Sequence, residues 1–306
     1  MESFNEINRH LPWFLPLAAA VFGACIGSFL NVCIYRIPKN ESIVRPASHC
    51  GCGQPIAWHD NIPVLSWLIL RGRARCCGRP FSFRYPAVEL LTAALFLGCW
   101  LLFPPGKAVA GMVLCSILIC ATFIDLDHMV IPDVFTIGGA MGGVLLSLAL
   151  PVLHGHQHEI FLVGSTRSAV DAMLGLLIGS ALVLWIALLA EVVLKNEAMG
   201  FGDVKFLGAI GAFIGWKGAV FAVFGGAVVG CVWFGLAVLW QQIAGRTAAP
   251  AATTSLAAEG GETPPTSLGF GVQVPFGPML AIAALLYFLV LHRWVDAYFS
   301  DLAVMF

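Results

Sequence analysis

The chain has 306 residues, of which 59% are hydrophobic and only 11% charged, with a formal net charge of −1. Soluble domains run near 45–50% apolar. Here several stretches of about twenty apolar residues are each long enough to cross about 30 Å of hydrocarbon as helix. The composition therefore excludes a soluble globular domain and predicts an all-α polytopic membrane protein. The other spanning solution is a closed barrel, and its alternating apolar and polar strands are absent. Six of the ten Cys (Cys25, Cys33, Cys99, Cys115, Cys120, Cys231) sit singly in apolar runs, which argues against a disulfide scaffold. The net charge itself says nothing useful about partners; no nucleic-acid partner and no cleavable signal peptide are expected.

In chain order, about eight spans are predicted, at roughly 12–35, 86–103, 108–124, 134–153, 169–194, 204–215, 217–241 and 274–292. The segment 204–215 is short and carries Gly208, Gly211 and Gly215, as expected of a tilted or broken helix inside the bundle. Between the first two spans lie Arg36, Lys39, Arg45, Arg71, Arg73, Arg75, Arg79 and Arg84. No other loop is as basic, so the positive-inside rule places this one in the cytoplasm and the N-terminus outside. Alternation then puts 125–133 and 195–203 on the cytoplasmic side, and 154–168 outside. The resulting division is an N-terminal span (1–35), a Cys-containing cytoplasmic loop domain (36–85), a membrane core (86–244), a flexible linker (245–272) and a C-terminal span with its tail (273–306). The linker is rich in Ala, Thr, Pro and Gly and has no means of forming a core.

Asn31, within the first span, is costly unless it bonds a neighbouring helix, and Gly27 beside it permits close approach. The loop that follows contains Cys50 and Cys52 in SHCGCGQPI, then Cys76 and Cys77 in RARCCGRPF. Two Cys pairs beside Gly and Pro turn residues fit a tetrahedral zinc site that would hold together a loop lacking its own core. Reduced thiols without metal are the alternative, because adjacent Cys76 and Cys77 are awkward to aim at one ion.

The chemistry is concentrated in Ile124–Asp133, IDLDHMVIPD, and Gly200–Lys205, GFGDVK. Both set carboxylates at the edge of apolar runs, where charge is expensive unless it faces a partner or a wet cavity. On a continuous helix Asp125 and Asp127 point about 200° apart and cannot share a target. Asp133, after Pro132, has a structural explanation as a favourable charge at a helix N-terminus. Asp125, the deeper acid, has none. Gly200 and Gly202 allow tight backbone packing around Asp203, for which a helix N-cap is the plain alternative. The topology brings Asp125 and Asp203 to one membrane face. Facing carboxylates that share one proton can together activate water and protonate a carbonyl or leaving nitrogen. Asp127, Asp133, Gly200, Gly202 and Lys205 are the expected supporting or substrate-contacting residues.

At these residues the sequence resembles the type IV prepilin peptidases, the bacterial members of the GxGD membrane aspartic proteases. The resemblance rests on GSFLNVCIYRIP (Gly27–Pro38), NIPVLSW (Asn61–Trp67), FRYPAVE (Phe83–Glu89), IDLDHMVIPD and GFGDVK. It implies cleavage of the short basic leader of prepilin and pseudopilin precursors, after a Gly, at the cytoplasmic face of the bacterial inner membrane. It implies Asp125 and Asp203 as the catalytic pair. It also implies methylation of the new N-terminus from S-adenosylmethionine, as many members perform. The Cys loop departs from the family's two CxxC pairs: the first is shortened to Cys50-Gly51-Cys52, and in the second Ala74 stands at the first Cys position while Cys76 adjoins Cys77. The stretch His154–Val170, with three alternating His, lengthens the separation of the two acidic motifs and reads as an exposed polar loop. The leader's charge is expected at lipid or at Asp127, Asp133 or Glu197. A proton-coupled transporter, a Mg²⁺-dependent lipid-headgroup transferase and a scaffold are the rival readings.

Overall fold

A computed structural model describes residues 10–156, 158–195, 199–243 and 275–304. Glu197 and the linker at 245–272 lie outside the described residues. Among the described residues the regular structure is helical, with a short helix at Leu65–Ile69 in the Cys loop and eight longer ones: α1 (Phe14–Arg36), α2 (Arg84–Leu102), α3 (Pro105–His128), α4 (Asp133–Ala149), α5 (Phe161–Leu194), α6 (Phe201–Ile243), α7 (Gly277–Leu286) and α8 (His292–Val304). One wide turn of π-helix, Tyr287–Leu291, joins the last two. Among the described residues, six helices are long and apolar enough to cross a membrane; α4 is apolar but shorter. Many large side chains on these helices, such as Phe22, Trp185 and Trp233, are exposed. That is the pattern of helices apolar all round with lipid as their solvent.

The predicted spans 204–215 and 217–241 are both present as the two helical arms of α6, which meet at Gly215, whose φ of 73° and ψ of 176° break the helical path. A residue with a side chain is strained at such a φ, so the break falls on glycine. The predicted outer loop 154–168 is largely helix, because α5 begins at Phe161. Two of its histidines meet polar groups of α5: His154 Nδ1 lies 3.0 Å from Ser168 Oγ, and His156 Nε2 2.5 Å from Asp171 Oδ2. Burial holds the pKa of His154 down at about 4, so this imidazole is neutral.

Glycines set the helix spacing. A Cβ on Gly27 would lie 2.7 Å from Glu89 Cα, and one on Gly23 2.8 Å from Ala93 Cα, so α1 lies almost backbone to backbone on α2. Asn31 Nδ2 donates to the Tyr85 carbonyl at 3.1 Å across that contact. The closest crossing is α5 on α6, where a Cβ on Gly175 would fall 2.1 Å from the Gly211 carbonyl oxygen.

Candidate active site

α3 runs unbroken through Ile124–Asp127 and stops at Met129, a left-handed residue whose N–H bonds back to the Asp125 carbonyl. Pro132 then sits at the N-cap of α4. This tight reversal turns Asp125 inward at 5% exposure. The opposite segment enters through Gly200, and α6 begins at Phe201, so Asp203 lies in its first turn, also buried at 9% exposure. Asp203 is inside the helix rather than at its cap.

The two acids line one cavity of about 400 Å³, together with Met129–Asp133, Gly200–Gly202 and Lys205. They lie near enough for the charge of Asp125 to act on Asp203. Ile131 packs between the segments: a Cβ on Gly202 would meet it at 3.7 Å, and one on Gly277 at 3.1 Å. Asp125 Oδ2 is buried without a hydrogen-bond partner of good geometry. The neighbouring Gly277 backbone faces the carboxylate but does not complete such a bond. An unpaired buried carboxylate oxygen is costly in a core kept only for packing, and it is available to a proton or to a substrate group.

The remaining predicted residues fall around this centre. Asp133 lies in the first turn of α4 and pairs with Lys205 at 2.7 Å on the cavity's rim. The Lys205 ammonium also stands over the Phe201 ring, 5.4 Å from its centroid. Asp127 does not enter the cavity lining. On the other side of α3, both its oxygens accept from Arg84 at 2.7 Å, and Arg84 also donates to the Phe123 carbonyl at 3.2 Å. This forked contact ties the end of the Cys loop to the helix that carries Asp125. Arg84 stands in a quoted motif, but nothing local in the sequence names its partner.

Gly277 belongs to the stretch VPFGP at 274–278, which reads in sequence as a Pro-rich turn starting the last span near the mouth of the site; its contact with Asp125 was not foreseen. A Cβ there would come 2.6 Å from Asp125 Oδ2, so only glycine leaves the carboxylate in place. Gly277→Ala is expected to displace the Asp125 carboxylate and lower kcat about 100-fold, the effect of a misplacement near 1 Å, with the thermal midpoint in detergent little changed. A kcat within a few-fold of wild type would remove Gly277 from the site.

In the loop, Cys50, Cys52, Cys76 and Cys77 bring their sulfurs within 4.8 Å of one another. Two turns of similar build present them: the Gly53 N–H bonds to the Cys50 carbonyl and the Gly78 N–H to the Ala74 carbonyl, with Gly53 and Gly78 at positive φ. Cys50 Sγ lies 3.6 Å from Cys77 Sγ and Cys52 Sγ 3.4 Å from Cys76 Sγ, so the adjacent cysteines face different partners. The Cys52 backbone N–H, then the neighbouring thiols, hold the Cys50 pKa down to about 7, while hydrogen bonds with Cys52 and Cys50 push Cys76 up to about 12. Sulfurs bound tetrahedrally at about 2.3 Å stand about 3.8 Å apart, so this donor set fits a metal ion. The loop is fastened by Arg75, which grips Asp60 and holds its carboxyl below the usual range. The Val64 N–H also donates to Glu89 Oε2 at 2.7 Å.

Comparison with known proteins follows the same division. The family described as bacterial peptidase A24 N-terminal domain matches residues 21–103, and the type IV leader peptidase family matches 112–235. The prepilin leader peptidase/N-methyltransferase of Myxococcus xanthus is 37% identical, over 87% of this chain and 76% of its own length. That of Aeromonas hydrophila is 34% identical over 94% and 96%. The type 4 prepilin-like proteins leader peptide-processing enzyme of Escherichia coli O78:H11 is 39% identical over 69% and 81%. No solved structure matches the chain significantly. With two buried acids opening into one cavity and relatives this similar along most of its length, the chain belongs to the type IV leader peptidase family.

Proposed function

We propose that this protein is an aspartic endopeptidase that removes the leader of type IV prepilin or pseudopilin precursors after a Gly at the cytoplasmic membrane face, with Asp125 and Asp203 acting on water. The observation that carries the reading is the shared cavity: two buried carboxylates from segments far apart in sequence line it, and one oxygen is unpaired. One carboxylate takes a proton from water as its oxygen attacks the scissile carbonyl. The partner, holding the shared proton, gives it to the developing oxyanion. Collapse of the resulting diol breaks the C–N bond as a proton passes to the leaving nitrogen. Which acid begins as base belongs to the pair rather than to either residue. Asp133 and Lys205 at the rim are the groups that a charged leader meets first, Gly202 lies beside Ile131, and Gly200 leads into α6 next to Asp203. The basic loop sits at the inner leaflet, where each Lys or Arg contributes about 1 kcal/mol toward anionic lipid.

The test is incubation of the purified protein with a precursor carrying a Gly at its junction, with and without S-adenosylmethionine, followed by mass measurement. Two fragments are expected, the leader ending in Gly and the larger one with a new N-terminus, heavier by a methyl group when the donor is present. A precursor left whole rejects the peptidase reading.

We infer zinc as the ion of the four-cysteine cluster, with a structural part: it joins two turns that share little apolar core. Purified protein is expected to hold about one zinc per chain, bound most of all by thiolates. Cys50→Ser or Cys76→Ser should lose most of it, with faster proteolysis of the loop. Wild type that folds normally without metal would contradict this.

A further inference from the structure

Beside the catalytic cavity lies a second one, of about 490 Å³, between α4, α5 and α6. Its wall on α4 is the row Ile137, Met141 and Leu145, spaced four residues apart, so the three side chains stack on one helix face. All three are exposed, at 49%, 62% and 61%. Its floor includes Ser180 and Gly208, where the helices are so close that a Cβ on Gly208 would fall 2.2 Å from Ser180 Oγ. At one end the second cavity reaches Lys205, which also lines the catalytic cavity, so the two cavities adjoin at that residue. Gly208 stands five residues beyond Asp203, about 7.5 Å further along α6.

We propose that this groove docks the apolar helical segment that follows the cleavage site of a membrane-anchored precursor. The inference rests on the proposed peptidase activity and adds the place where the substrate lies. The groove is apolar and open sideways to lipid, so a water-soluble ligand gains nothing by entering it. It meets the acids at the level where the leader ends and the membrane segment starts. A helix seated against Ile137, Met141 and Leu145 therefore presents its first peptide bonds to Asp125 and Asp203, while the polar leader extends past Asp133 and Lys205. A lipid chain or a second copy of the protein would have no reason to stop at the catalytic cavity.

The experiment places a photo-crosslinking benzoylphenylalanine at position 141 of the full chain in proteoliposomes. A control carries it at 233, an exposed position on the other arm of α6. A precursor with leader, Gly junction and apolar helix is added. Capture from 141 is expected at least about ten-fold above that from 233, with the adduct mapping to the apolar segment after the Gly. Ala140→Phe, which fills the groove, should raise KM for this precursor about ten-fold while kcat falls less than about two-fold. Equal capture from both positions, adducts with lipid or a second copy only, or a fall in kcat with KM unmoved would overturn the proposal. Capture from 141 by a protein that never cleaves the precursor would leave the groove standing and reject the peptidase reading instead.

Discussion

Asp125→Asn and Asp203→Asn are each expected to lower the cleavage rate by at least about 1,000-fold, within the range that a general acid or base contributes. Each substitution keeps the shape of the side chain and removes the one function it performs, the exchange of a proton with water or with the scissile group. Stability should not follow activity. Asp125 Oδ2 is buried and unpaired, so exchanging it for an amide removes a charge the fold must keep from water. The thermal midpoint of Asp125→Asn in detergent is therefore expected to equal or exceed that of wild type, as at sites where activity opposes stability. Loss of cleavage together with a collapsed midpoint would mean that the acids hold the bundle together. Robust cleavage by either variant would end their assignment.

The second large effect is on folding. Gly175→Ala places a methyl group 2.1 Å from the Gly211 carbonyl oxygen, with the Gly215 carbonyl carbon 2.8 Å away. These are backbone atoms, so no side chain can swing aside and the helices must separate. Lipid offers no hydrophobic drive to restore the contact, because association within the bilayer rests on close packing. Overpacking of a well-filled core costs about 1–3 kcal/mol, and with backbone on both sides the loss here is expected at about 3 kcal/mol or more. Gly98 in α2, with nothing within 4 Å of its would-be Cβ, is the control. Gly98→Ala should leave the midpoint within about a degree or raise it, as helix propensity favours Ala. Equal midpoints for the two variants would show that the α5–α6 crossing is not a close one.

The sequence made the acids visible for a physical reason. A chain with so few charges exposes each one that stands at the edge of an apolar run, and Asp125 had no capping role to explain it. The geometry of a continuous helix was enough to separate Asp127 from Asp125, and α3 does carry them to different neighbours: a cavity for one, Arg84 for the other. Gly277 left no such mark. Its part in the site is the lack of a side chain beside Asp125, a contact across some 150 residues that no local pattern records. The start of α5 was placed at 169 because polar Ser165, Thr166, Arg167 and Ser168 read as loop, whereas they lie on the helix that begins at Phe161. Gly215 was read as the end of a short helix, and there the first arm of α6 does stop. Adjacent Cys76 and Cys77 looked poorly aimed for one ion until the two turns set each against its own partner.

The most direct test of the account is a double-mutant cycle at the acids, read as single-turnover cleavage of one precursor by Asp125→Asn, Asp203→Asn and the pair combined. Residues that work as a unit fail together. The account predicts three rates that cannot be told apart, all at the uncatalysed level. If instead the combined variant is slower by the product of the two single losses, the carboxylates contribute independently and the shared-proton mechanism is wrong.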